Sequence, residues 1–65
     1  MLESKAIALV RAKHPRIRKG HWYASWVPVE ERPEWSCWWV VNEQGRKNGR
    51  REWTVDPQTG EISEM

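Results

Sequence analysis

The residues that could do chemistry are few: one cysteine, Cys37, two histidines, His14 and His21, and the carboxylates of the EERPE stretch, Glu30, Glu31 and Glu34. A Cys–His pair can activate a thiolate nucleophile when the two side chains meet. A lone cysteine inside an apolar run, here Ser36-Cys37-Trp38, behaves far more often as a small buried hydrophobe. Metal binding calls for three or four ligands at characteristic spacings, and one cysteine with two scattered histidines gives neither. No glycine-rich loop follows a strand and opens a helix, so no phosphate cradle is expected. The EERPE carboxylates sit in a polar turn, whereas acid–base chemistry needs shifted pKa values in a cleft. The reading is a non-catalytic chain with no catalytic residues, no cofactor and no metal.

What remains unusual is aromatic. The 65 residues hold six tryptophans, one tyrosine and no phenylalanine. A single domain is all this length allows, and a chain so short buries only about 60% of the surface it exposes when unfolded. Its core is too small to hide every ring. The net charge is +2, with 11 basic against nine acidic residues. The bases gather in two knots, Arg16, Arg18 and Lys19, then Arg46, Lys47, Arg50 and Arg51. Such knots are ordinarily solvated turns. The one cysteine permits no internal disulfide, no apolar stretch reaches signal-peptide or membrane-span length, and the expectation is a cytoplasmic protein that does not enter a membrane.

The elements follow from periodicity. Leu2, Ala6, Leu9 and Val10, with Ile7, form a helical stripe, which predicts a helix over residues 3–14 with Ser4 as N-cap and Pro15 as its stop. HWYASWVPV (21–29) is rich in strand formers, and Pro28 marks it as an edge strand. Trp35 to Asn42 is the strongest strand, followed by a loop with Gly45 and Asn48-Gly49 and a strand over 50–56. DPQTG is a tight turn before a short strand at 61–63. The fold expected is α+β, with one N-terminal helix packed on one face of a three- to four-stranded antiparallel meander.

The leading helix with its following proline, the W-x-V strand (Trp39 to Val41) and the closing WTVDPQTGEI together resemble the PepSY domain. That resemblance implies an α+β fold and a role in binding or restraining another protein, often a protease. Members are commonly extracytoplasmic, and this chain shows no signal peptide.

Side chains alternate along a strand, so Trp35, Cys37, Trp39 and Val41 share one face of the central strand and Trp38 and Val40 the other. With Trp53 and Val55 added, the first face is the more apolar and is expected to meet the helix. One helix about 10 Å across covers roughly two strands on one face. Trp38 and Val40 are then left open beside Arg50 and Arg51, joined by one side of the first strand, either Trp22 and Trp26 or Tyr23, Val27 and Val29. The rings could lie flat and shield one another, or two copies could bury the face in a homodimer. The preferred reading is a docking surface for a partner protein, made of Trp38, Val40, Trp22, Trp26, Arg50 and Arg51, because aromatics and arginine dominate binding hot spots. The alternative is a single-stranded nucleic-acid module, stacking bases on tryptophan and meeting phosphates with the basic patch Arg16, Arg18, Lys19, Arg46 and Lys47.

Overall fold

A computed structural model describes residues 1–45 and 49–65. Helix α1 spans Glu3–Lys13, and the expected stripe is real: Ala6 and Val10 are fully buried, with Ile7 and Leu9 packed at the rim of the same cluster. The backbone N–H of His14 donates to the carbonyls of Val10 and Arg11, each at 3.1 Å, and Pro15 prevents a further turn. The start differs from expectation. Leu2, not Ser4, holds the N-cap position; it makes no side-chain cap bond and is 76% exposed, so it does not belong to the stripe.

An uncapped start leaves orphan N–H groups. Leu2→Asp is expected to stabilise the domain by about 1 kcal/mol, because a carboxylate there accepts from the first-turn amides. Thermal melting should show a rise of roughly 4–8 °C. No rise, together with a fall on Ser4→Ala, would return the cap to Ser4.

Four antiparallel strands follow in the spatial order of the chain: β1 (His21–Val27), β2 (Cys37–Glu43), β3 (Arg50–Val55) and β4 (Ile62–Glu64). β1 is an edge strand, as Pro28 suggested, and it stops at Val27 rather than at residue 29. A single 3-10 turn, Pro33–Trp35, intervenes before β2, so Trp35 is not a strand residue. Pro33 opens that turn with its preset φ, and the chain reaches extended geometry only at Ser36. Asp56 builds the β3–β4 turn, its Oδ1 accepting from the N–H groups of Gln58 and Thr59 at 2.8 and 3.2 Å. In the β2–β3 loop, the N–H of Gln44 donates to the carbonyl of Gly49 at 3.0 Å; Asn48 lies outside the described residues, as do Arg46 and Lys47.

The register sets which side chains share a face. Val40 stands opposite Ala24 on one side and Trp53 on the other, and Trp38 stands between Trp26 and Val55. Trp22, Asn42 and Arg51 complete that face. This is the face that meets α1: Ala6, Val10, Val40, Trp53 and Val55 form one fully buried cluster, flanked by Trp22, Ala24, Trp38, Ile17 and Ile62. Trp38 and Val40 therefore point toward the helix, and Trp39 and Val41 away from it, the reverse of the sequence expectation. Trp39 is paired with Thr54 and not with Trp53, which moves every side chain of β2 to the other side relative to β3. No helix is long and apolar enough to cross a membrane among the described residues.

Candidate functional site

The strands keep the reactive residues apart. Cys37 lies on the open face at the end of the sheet that carries the β1–β2 and β3–β4 turns. His21 begins β1 and stands opposite Glu43, six residues and about 20 Å along the strand from the Val27–Cys37 pair. His14 is on the helix side, tilted against Trp53 with ring centroids 5.2 Å apart. Burial raises the Cys37 thiol above its ordinary pKa, and the Asp56 carboxylate adds to the same direction. That favours the thiol over the thiolate, the opposite of an activated nucleophile. Among the described residues, no three His, Cys, Asp or Glu side chains gather closely enough to hold a metal ion.

The open face has two halves. Toward the β2–β3 loop, Val41 is fully buried although no helix or strand among the described residues lies over it. Neighbouring side chains of the same face crowd around it. Trp39 Nε1 donates to Glu52 Oε1 at 3.0 Å, and Tyr23 meets the Trp39 ring edge-on at 6.4 Å. The Tyr23 hydroxyl donates to Glu43 Oε2 at 3.1 Å. Arg50 completes the cluster, its guanidinium 5.8 Å from the Trp39 centroid and 3.5 Å from the Glu52 carboxylate. Lost hydration raises the Tyr23 phenol pKa, and the hydrogen bond and charge of Glu43 push the same way. The cross-strand and cation–π contacts contribute about 0.2–1 kcal/mol each. This half is closed by its own residues.

The other half is open. Trp35 is 63% exposed and Val27 39% exposed, with half-buried Cys37 beginning the strand between them. A depression of about 250 Å³ runs beside Trp35 and Cys37 across Thr54 to Ser63, rimmed by the carboxylates of Glu34, Asp56 and Glu61. The Trp35 ring already receives one cation, the Arg32 guanidinium at 5.0 Å, with Glu34 at 4.0 Å from that arginine.

The six residues expected to form a docking surface do not lie together. Val40 is fully buried. Trp22 stacks on Trp53 at 5.6 Å beneath the guanidinium of Arg11 at 5.7 Å. Trp38 is half-buried on the helix side, and its Nε1 has no acceptor among the described residues. Of the four apolar residues only Trp26 is exposed, at 45%, edge-on to Trp38 at 5.4 Å. Arg50 and Arg51 alternate to opposite faces; Arg51 lies over Trp53 at 5.2 Å and grips Glu64 with two hydrogen bonds of 2.9 Å. Of the basic patch, Arg16, Arg18 and Lys19 line one cleft with Arg51, while Arg46 and Lys47 are outside the described residues. Sequence reasoning placed Trp35 and Trp39 on the helix face and left open whether Tyr23 and Val27 point outward. Counting strand pairs back from the Gly45–Gly49 loop, with Glu43 opposite Arg50, would have found Trp39.

Comparison of the chain with protein-family models, with curated proteins and with solved structures found no match.

Proposed function

We propose that this chain is a small non-catalytic protein-binding module that docks its partner on the open sheet face, around Trp35, Val27 and Cys37. The observation that carries the reading is Trp35: a large ring 63% exposed on a face that no helix covers, beside a depression. An indole held in this way is the kind of residue that supplies most of the energy of an interface. The acidic rim of Glu34, Asp56 and Glu61 selects a partner that surrounds its apolar contact with lysine or arginine. It also opposes a symmetric pairing of two copies there, since the rims would meet like against like. The resemblance to the PepSY domain, with its implied restraint of another protein, points the same way.

Base stacking is the weaker reading, because the exposed rings and the free cations are apart. Trp26 and Trp35 stand at the turn end of the sheet, and Arg16, Arg18 and Lys19 at the loop end.

Selection from a random peptide-display library tests the proposal. Enriched peptides should combine an aromatic or branched aliphatic residue with lysine or arginine. Their affinity should fall at least about tenfold with Trp35→Ala and with Glu34→Lys, and stay unchanged with Trp26→Ala on the far face. Failure to enrich any sequence, or binders that depend on Trp26 and ignore Trp35, would overturn it.

A further inference from the structure

We infer that the loop end of the molecule carries a second site, separate from the proposed docking face: a cleft that binds the phosphate backbone of a nucleic acid without reading its sequence. Arg16, Ile17, Arg18, Lys19, Gln44 and Arg51 line a cleft of about 470 Å³. Arg51 is held by Glu64, with a shortest contact of 2.8 Å. Arg16, Arg18 and Lys19 are exposed, and none pairs with a carboxylate among the described residues. The three residues outside that set are Arg46, Lys47 and Asn48, none of which carries a carboxylate.

The segment that displays these cations is anchored at three points. The Ile17 N–H donates to the His14 carbonyl at 3.1 Å, and the Ile17 side chain packs against the core. Asn42, itself fully buried, donates from Nδ2 to the Lys19 carbonyl at 3.0 Å. Gly20 then turns the chain into β1 with a φ of +101°, close against the Asn42 side chain. Three positive side chains thus stand on a backbone already fixed, and a ligand need not pay to order it.

The distribution of charge chooses the ligand. A single phosphate monoester is best held by convergent, bidentate donors in a shielded pocket. Here the cations are exposed and spread along a segment, which suits a polymer that repeats its negative charge. Trp53, which lies under Arg51, is fully buried, and Trp22 stacks on it with the Arg11 guanidinium against its ring, so neither presents an open ring to a base. Contact is therefore with the backbone alone, which positions a nucleic acid but carries no sequence information. The acidic turn residues Glu30, Glu31 and Glu34 follow β1 at the far end of the sheet and do not repel it.

Fluorescence anisotropy with a short labelled DNA duplex of random sequence tests this. Binding should appear at about 50 mM salt and weaken steeply toward about 200 mM, equally for scrambled sequences. Arg16→Glu, Arg18→Glu and Lys19→Glu combined should lower affinity at least about tenfold and flatten the log–log salt slope by roughly 0.9 per lost contact. Trp35→Ala should bind DNA as the wild type does, which separates this site from the docking face. Circular dichroism confirms the fold, and the three glutamine substitutions replace the charge reversals if these perturb it. No anisotropy change at low salt, or a combined variant that binds as tightly as wild type, would overturn the inference.

Discussion

Trp53→Ala is expected to leave this domain largely unfolded at room temperature. The side chain is fully buried at the centre of the helix-side face, between Val40 on β2 and Glu64 on β4. It packs with Ala6 and Val10 of α1, stacks on Trp22 at 5.6 Å, and touches the rings and charges of His14 and Arg51. Truncating a buried tryptophan costs about 3–5 kcal/mol, and a lost aromatic pair adds about 0.5–1.5 kcal/mol. At about 0.05–0.15 kcal/mol per residue, a chain this short has roughly 3–10 kcal/mol in total. The loss is comparable to the whole. Trp53→Phe should be far milder, because it keeps a ring and removes an indole N–H that has no acceptor among the described residues. Trp39→Ala on the open face should cost only about 1–2 kcal/mol, the Glu52 hydrogen bond and the Tyr23 contact. Urea unfolding of the three variants separates them. A Trp53→Ala midpoint near that of Trp39→Ala would mean that the helix covers the other face.

That contrast marks what could be read from the residues alone. The helix and an antiparallel meander of three to four strands were legible, because Ala6 and Val10 keep a helical spacing and Pro15, Pro28 and Gly60 punctuate the chain. The assignment of faces was not, because β2 is apolar on both sides. Trp38 and Val40 form one apolar set, Cys37, Trp39 and Val41 the other, and hydropathy alone cannot rank them. A slip of one residue in pairing exchanges the two sets, and the tie is broken only by Glu43 facing Arg50 across the loop. Trp35 was hidden for a different reason. Its strand-forming type argued for extension, and the local geometry of Pro33 prevailed. The meeting of Arg16, Arg18 and Lys19 with Arg51 was within reach of topology, since the link into β1 and the loop out of β2 must lie at the same end of an antiparallel pair. What no pattern in the chain showed is the linked cluster around Val41, which depends on Trp39, Tyr23, Glu43, Glu52 and Arg50 alternating onto one face together.

Gly20→Ala is the second substitution with a large expected effect, and its size follows from where that glycine sits. Gly20 and Gly49 both adopt positive φ, +101° and +69°, and both lie at the loop end of the sheet. Among the described residues a Cβ on Gly49 would meet nothing within 4 Å, so Gly49→Ala should cost only the backbone strain of about 1–2 kcal/mol. A Cβ on Gly20 would lie 2.8 Å from both Nδ2 and Oδ1 of Asn42, a side chain that is fully buried and has nowhere to retreat. Asn42 must shift, and its hydrogen bond to the Lys19 carbonyl breaks with it. Strain of about 1–3 kcal/mol and a broken hydrogen bond of about 1–3 kcal/mol then add to roughly 2–6 kcal/mol. The same change releases the segment that carries Arg16, Arg18 and Lys19, so DNA affinity should fall in Gly20→Ala protein that is still folded and stay intact in Gly49→Ala. A double-mutant cycle isolates the clash. In an Asn42→Ala background the Gly20 substitution should cost only its strain, leaving the pair less destabilised than the two single variants summed. Additive costs would mean that Asn42 does not hold the turn, and the anchored cleft would lose its foundation.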